Sequence, residues 1–303
     1  MIGTVAVGVG GAAGWPALAW AVGEAVTTGA RLAVHRVCRP GSPLSALGAD
    51  RSLARLELVE PALSRAVAAA RVQLGGHRVG FSLHTGETGA ELVHAAGDAD
   101  LMVIGASGES RRCVQDTVRR VTEHASCPVV VVRPVDHEGN GPFGGHVVVG
   151  VDGDAGGHSA LGFAFGYADR HRLPLAAVHV SEQRRDDFWS DASTLSTQPA
   201  HLGLLAAEVG LWQRKFPDVR VESAVLAGPV ADGLLGAGAG ARLLVVGNRR
   251  RGPLGRVLTG NVTRSVIDRA RCPVAVAHVD DARPGRSDDA RPVGCTPRRY
   301  GWA

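Results

Sequence analysis

The 303-residue chain contains the same pattern of segments twice. Val7-Gly8-Val9 returns as Val149-Gly150-Val151, and Cys127-Pro128-Val129 returns as Cys272-Pro273-Val274. Two further matches are Val34-His35 with Val178-His179 and Val103-Ile104-Gly105 with Val245-Val246-Gly247. All four keep one order at offsets of 142 to 145 positions. Because this period is the size of a whole domain, it indicates a duplicated domain and not a solenoid of short repeats.

Within each copy, short apolar runs alternate with helical patterns. In the first copy the sequence predicts strands at 3–9, 31–38, 78–84, 100–105 and 128–133, and helices at 15–27, 52–74, 88–97 and 114–125. In the second it predicts strands at 146–151, 174–181, 219–226, 242–247 and 273–279, and helices at 157–170, 199–215, 229–238 and 260–270. This alternation is typical of an α/β domain with a parallel sheet and helices on both faces.

The same pattern sets the predicted domain boundaries. The first domain spans 1–134, a linker rich in glycine and proline spans 135–145, and the second domain spans 146–279. The tail, 280–303, is rich in Arg, Asp, Pro and Gly without periodicity, so we expect it to be disordered.

Composition excludes several kinds of partner. The net charge is +4, but the basic residues form only short clusters such as Arg249-Arg250-Arg251, without interleaved aromatic residues, so we expect no nucleic-acid binding. The weakly charged amino-terminal segment lacks a basic region and aligns with a strand and helix of the second copy, so we expect no membrane segment. Five cysteines without a C-x-x-C pair suggest reduced thiols and a cytoplasmic protein.

The segment from Leu243 to Val279 carries the most informative motif. An apolar run ends at Gly247, an Arg- and Gly-rich loop follows, and Gly260-Asn261 opens a helical pattern. Glycine permits close backbone approach, and the first N–H groups of a helix attract anions. Asn261 suits the N-cap. Strand, glycine loop and helix together predict a phosphate site, and turn formation alone is the alternative explanation of the glycines.

This spacing resembles the nucleotide loop of the universal stress protein family, which reads Gly, two residues, Gly, nine residues, Gly, then Ser or Thr. Arg250 stands at the family's second glycine and Asn261 at its Ser or Thr. The resemblance covers nearly all of residues 1–279, through the Val-Gly-Val-Asp-Gly start, the Leu-x-x-x-His-Val second strand, the glycine loop and the Cys-Pro-Val final strand.

The resemblance implies a fold, a ligand and a mode of association. The fold is two tandem open-sheet domains, each with a five-stranded parallel sheet in the order 3-2-1-4-5. Family members pair through the last strand, so the two copies are expected to pair with each other; a homodimer and unidentified protein partners are further expectations. The ligand is ATP, with or without Mg²⁺, in the second domain. Carried over by position, with Arg250 added from the loop, its contacts are Asp152, Val180, Val246, Gly247, Arg250, Gly260, Asn261 and Val262.

Three of these positions admit two interpretations. Asp152 suits ribose hydroxyls or a nucleotide-bound metal, and equally a turn before Gly153. Arg250 either strains the loop or donates to phosphate through its guanidinium. Asn261 caps the helix and can also donate to an oxygen. His179, in an apolar strand, is expected to be a satisfied core or strand-end residue and not a catalytic one.

The first copy has lost the pattern. Gly10 stands in place of Asp152, and 22 positions separate Gly105 from Cys127 against 25 between Gly247 and Cys272. Gln115 and Asp116 align with Gly260 and Asn261, and an aspartate at a helix N-terminus competes with phosphate. We expect this copy to keep the fold without binding nucleotide.

Two functions fit these observations. The first is an ATP-binding signalling or stress-adaptation module, and the second is a nucleotide-free scaffold that acts by protein contact. The sequence contains no G-x-S-x-G, H-E-x-x-H or Walker lysine motif, so we expect no enzyme, with slow ATP hydrolysis left open.

Overall fold

The computed structural model describes residues 2–47, 53–106, 111–133, 141–152, 155–181, 197–248 and 261–278. In the first copy the strands are β1 (Thr4–Gly8), β2 (Arg31–Cys38), β3 (Val79–Thr85), β4 (Leu101–Gly105) and β5 (Val129–Val132). Its helices are α1 (Gly14–Thr28), α2 (Leu53–Val59), α3 (Pro61–Leu74), α4 (Thr88–Ala95) and α5 (Arg111–His124).

The second copy follows the same order. Its strands are β6 (Val147–Gly150), β7 (Leu175–Ser181), β8 (Val221–Ala227), β9 (Leu243–Asn248) and β10 (Val274–His278). Its helices are α6 (Ala155–His171), α7 (Thr197–Lys215), α8 (Val230–Ala237) and α9 (Asn261–Arg269). The α/β class predicted from the sequence is confirmed. None of the helices in the described ranges is both long and apolar enough to cross a membrane.

The strands of both copies form one ten-stranded sheet with the order β3-β2-β1-β4-β5-β10-β9-β6-β7-β8. Each half has the predicted order 3-2-1-4-5, and its strands are parallel. The halves meet at β5 and β10, which are antiparallel, with Val130 opposite Ala275. The predicted pairing of the two copies through their last strands is therefore confirmed.

Each face of the sheet is covered by its own hydrophobic core, and each core contains residues of both copies. One core contains Val5 and Val7 together with Val147 and Val149, and the other contains Met102 together with Val148. Alternating residues of one strand enter opposite cores, as expected of strands buried on both faces. Aromatic residues are only 4% of the chain, and Val, Leu, Ile and Ala make up most of both cores.

Helices α1 and α6 also join the copies. The Glu24 carboxylate on α1 is almost fully buried, and its Oε2 lies 2.8 Å from His171 Nε2 on α6. Beside this pair Trp20 of α1 stacks on Tyr167 of α6 at 6.3 Å between ring centroids. The interface therefore extends from the sheet into the helical layer.

Two helix predictions were wrong. The single helix expected at 52–74 is two helices, because Pro61 has no N–H and begins a new helix after Glu60, whose φ is −140°. Helix α5 begins at Arg111, so Asp116 lies in its second turn and not at its N-terminus. The expected competition between Asp116 and a phosphate is therefore incorrect.

The region between the copies is described from residue 141 onward. Gly145 N donates to Gly240 O at 2.9 Å, and Phe143 packs on the second of the two cores. A Cβ atom at Gly141 would lie 2.1 Å from Ala239 O, so the chain approaches the second copy closely here. Residues 134–140 and the tail predicted at 280–303 lie outside the described residues.

Candidate functional site

The residues that the sequence singles out gather at the carboxyl ends of β6, β7 and β9. Val149 of β6 pairs with Val245 of β9, and Gly150 pairs with Val178 of β7, so the three strands end side by side. In open α/β sheets this edge, where the chain turns to opposite sides of the sheet, is the usual ligand position. Arg250 and Gly260 lie outside the described residues.

Asp152 is exposed at the end of β6, where the chain enters α6. A Cβ atom at Gly157 would lie 2.7 Å from Asp152 Oδ1, so the carboxylate lies against the first turn of the helix. Negative charge is favourable at this end of a helix. Asp152 is exposed, which suits contact with a ribose or a metal, and its carboxylate contacts the helix, which suits a structural role. The structure is thus compatible with both interpretations.

Val180 and Val246 turn their side chains into the protein. Both belong to the core that also contains Leu234, and a Cβ atom at Gly233 of α8 would lie 2.9 Å from Val180 Cγ1. Only the backbone groups of these two valines can therefore contact a ligand at the strand ends. His179 lies inside β7 and not at its end, and its Nδ1 lies 2.9 Å from Val151 O, so its ring has a hydrogen-bond partner within the fold.

Gly247 is tied to the start of α9. The Thr263 hydroxyl, in the first turn of that helix, donates to Gly247 O at 3.2 Å. The bond places Gly247 beside the start of α9, where Asn261 is exposed and Val262 is half-buried. Asn261 is the first residue of α9, so it does not occupy the N-cap position that the sequence predicts. The first N–H groups of α9, which have no acceptor within the helix, lie at this edge. Thr263 was not predicted, because its only signal in the sequence is a hydroxyl two positions after Asn261.

The corresponding corner of the first copy is covered by an arginine. Arg36 occupies the position that matches Val180, and a Cβ atom at Gly10 would lie 3.2 Å from Arg36 Nη1. Arg36 Nε donates to Glu60 Oε2 at 3.0 Å, which fixes the guanidinium there. The first copy therefore has a basic group near the place where the second copy has the Asp152 carboxylate. The replacement of the aspartate by Gly10 was recognised in the sequence, whereas the role of Arg36 was not predicted.

Two histidines of the neighbouring strands β2 and β3 are in contact. His35 Nδ1 lies 3.0 Å from His84 Nε2, and His84 Nδ1 lies 3.5 Å from Glu91 Oε2. Burial, reinforced by His84 and opposed by Asp98, lowers the pKa of His35 to about 4. His35 is therefore neutral at pH 7. It matches His179 of the second copy, which instead contacts Val151 O.

The fold and this edge define a class of tandem α/β proteins in which the sequence of the second copy is rich in Gly and Arg between the fourth strand and the last helix. The family model of the universal stress protein family matches residues 1–133 and 145–278. The chain belongs to the universal stress protein family.

Relatives and solved structures agree with this assignment. A universal stress protein of Mycobacterium tuberculosis is 33% identical over 189 residues, which cover 61% of this chain and 64% of the relative. Another from the same organism is 28% identical over 231 residues, 74% of this chain and 72% of the relative. A universal stress protein structure from Archaeoglobus fulgidus has a TM-score of 0.59 at 15% identity, covering 92% of this chain and 97% of that one. At that identity the likeness supports the fold alone.

Proposed function

We propose that this protein is an ATP-responsive signalling or stress-adaptation module whose nucleotide is held by the second copy. The observation that carries the proposal is the hydrogen bond from Thr263 Oγ1 to Gly247 O. It fixes the first turn of α9 against the end of β9, on the edge where Asp152 is exposed. A helix N-terminus beside a glycine and a carboxylate supplies complementary groups for a phosphate chain and a ribose.

Each residue then has a separate role. The helix N–H groups near Asn261 and Val262, with Gly247 and Gly260, bind phosphate, and the backbone of Val180 and Val246 borders the base and ribose. Asp152 accepts hydrogen bonds from ribose hydroxyls or ligates Mg²⁺ bound to the nucleotide. Mg²⁺, when bound, neutralises phosphate charge. The Arg250 guanidinium donates to phosphate if the side chain points toward the bound nucleotide.

We propose binding and not turnover as the main activity. His179, the histidine at this edge, has its Nδ1 2.9 Å from Val151 O, and the Asp152 carboxylate lies against α6. Both side chains therefore have structural contacts, and the proposal assigns neither of them a role as general base. Slow ATP hydrolysis is not part of the proposal.

A nucleotide-free scaffold is the second candidate. It is favoured by the contact of Asp152 with the first turn of α6, which gives the carboxylate a structural role, and by Arg250 in place of glycine. In that case the protein acts through contacts with protein partners, as one chain or as a homodimer.

The cysteines support a cytoplasmic setting. Cys38, Cys127 and Cys272 are buried, and none of them forms a disulfide within the described ranges. Burial raises the pKa of the Cys272 thiol to about 11, so this group stays protonated and unreactive near neutral pH.

The proposal is tested by titrating ATP with Mg²⁺ into the wild-type chain and into Asp152→Ala by calorimetry. Loss of charged hydrogen bonds to ribose or of a metal ligand should weaken binding by about tenfold or more. Asp232→Ala is the matched control, since Asp232 is an exposed aspartate of the second copy that pairs with Arg269 at 2.7 Å. Equal affinity of all three chains would remove Asp152 from the site.

Arg250→Gly separates the two interpretations of the loop. Tighter ATP binding means that Arg250 strains the loop, and weaker binding means that its guanidinium contacts phosphate. Absence of ATP binding in both the wild type and Arg250→Gly would leave the scaffold function.

A further inference from the structure

The last residue of β9 is a fully buried asparagine. Asn248 follows Gly247, and its side chain has no exposed surface. Its Nδ2 crosses to the first copy and donates to Thr122 O of α5 at 3.1 Å. The strand that leads into the proposed nucleotide loop is thus bonded directly to a helix of the other copy.

Thr122 lies in the last turn of α5, where carbonyl groups lack partners within the helix. Its oxygen is also 2.8 Å from His278 Nε2 at the end of β10. A matching contact runs the other way, because Arg133 Nε donates at 3.0 Å to Ile267 O in the last turn of α9. His278 lies 145 positions after Arg133, and Ile267 lies 145 positions after Thr122. The two contacts therefore join equivalent positions of the two copies. Each copy caps the last helix of the other.

Asn248 breaks this equivalence. Its counterpart in the first copy is Ala106, which is buried and carries no polar group. Thr122 O therefore accepts an additional bond that the matched Ile267 O does not receive from position 106. The donor of this additional bond is the last residue of β9, in the copy that retains the proposed site.

The asparagine is poorly explained by stability. Its Oδ1 is buried and has no hydrogen-bond partner among the described residues. Leaving a buried acceptor unpaired is unfavourable, whereas an apolar side chain of similar size would avoid the loss. A polar group kept under these conditions points to a requirement other than folding.

We infer that Asn248 is a positioning residue for the nucleotide site of the second copy, an inference that rests on the proposed function. Its amide anchors the end of β9 to α5, while Thr263 anchors the start of α9 to Gly247. The end of β9 and the start of α9 are thereby both held, the end of β9 by the first copy. The first copy, whose own corner is covered by Arg36, is a structural part of the second copy's site.

The test is Asn248→Leu in the full chain, with ATP affinity measured by calorimetry and unfolding measured in urea. Leucine has the same branched arrangement of four side-chain heavy atoms and removes both the amide donor and the unpaired oxygen, so stability should be equal or higher. ATP affinity should nevertheless fall about fivefold, the effect of one lost hydrogen bond in positioning. A residue with a purely structural role would change both quantities in the same direction.

His171→Ala is the matched control, because it removes another contact between the copies, the one with Glu24, at the far end of α6 from Asp152. It should lower stability and leave ATP affinity unchanged. If Asn248→Leu does not fold, Asn248→Ser serves in its place, with the same expected loss of affinity. Unchanged affinity in the Asn248 variant, or an equal loss in His171→Ala, overturns this inference alone. A wild-type chain that binds no ATP at millimolar concentration overturns the proposed function and this inference with it.

Discussion

At the scale of single residues, the burial of His35, reinforced by its contact with His84, makes stability depend on pH. The pKa of His35 is lowered from 6.5 to about 4 in the folded protein, mainly by burial. Between these values the unfolded chain binds a proton that the folded chain does not, so stability is lost as pH falls from 6.5 toward 4. For a largely buried group the loss should be about 2 kcal/mol.

The pH prediction is checked by urea unfolding at pH 7 and pH 4.5 for the wild type, His35→Gln and His94→Gln. His35→Gln should lose less stability on acidification than the wild type. His94, exposed on α4, is the control, and its variant should behave like the wild type. An equal loss in His35→Gln would show that other groups cause the acid sensitivity.

Some residue roles could be predicted from the sequence and others could not. His179 was predicted as a satisfied core or strand-end residue because it lies in an apolar run, and it is a strand residue whose ring contacts Val151 O. Arg36 was missed because its effect depends on Gly10 and Glu60, which only the folded chain brings near it. Spacing along one strand carries no information about such contacts.

At the scale of elements, Gly105 shows that a glycine at the end of the fourth strand can be required by packing as well as by a phosphate site. It matches Gly247, yet a Cβ atom there would lie 1.9 Å from Ala13 O, just before α1. In the first copy the glycine is therefore required by close packing of the strand end against the chain entering α1. The retained glycine does not indicate a retained phosphate site.

Gly105→Ala should consequently destabilise the protein by about 3 kcal/mol, because the clash is with backbone. Gly23→Ala is the matched control: Gly23 is exposed within α1 with nothing near its Cβ position, so alanine should stabilise by up to about 1 kcal/mol. Urea unfolding measures both. Similar small effects in the two variants would contradict the packing role of Gly105.

The order of elements was predictable because the repeat and the alternation of apolar runs determine it. Boundaries were harder to predict. The break at Pro61 was missed because the helical pattern continues on both sides of the proline. The early start of α5 was missed because alignment with α9 assumes equal helix lengths, whereas α5 has 14 residues and α9 has 9.

At the scale of the whole molecule, the junction of β5 and β10 lies in the middle of the sheet, and β3 and β8 form its edges. Amide hydrogen exchange should therefore be slowest, and equally slow, in β5 and β10, and fastest among the strands in β3 and β8. Mass spectrometry of peptides covering these strands measures this order. Faster exchange in β10 than in β5 would mean that the copies open independently.

The pairing of the two copies followed from the family resemblance, and the ten-stranded sheet confirms it. The side-chain contacts across the junction could not be predicted, because Asn248 and Thr122 are 126 positions apart and belong to different copies. Their meeting depends on the antiparallel register of β5 and β10, which neither strand specifies alone.

The measurement that tests the central claim most directly is the stoichiometry of ATP binding to the full chain, determined by calorimetry with Mg²⁺. One nucleotide per chain is expected, because Arg36 covers the corner of the first copy and the second copy keeps Asp152, Gly247 and the start of α9. Two nucleotides per chain would contradict the loss of the first site. No binding at millimolar ATP would contradict the proposed nucleotide site in the second copy.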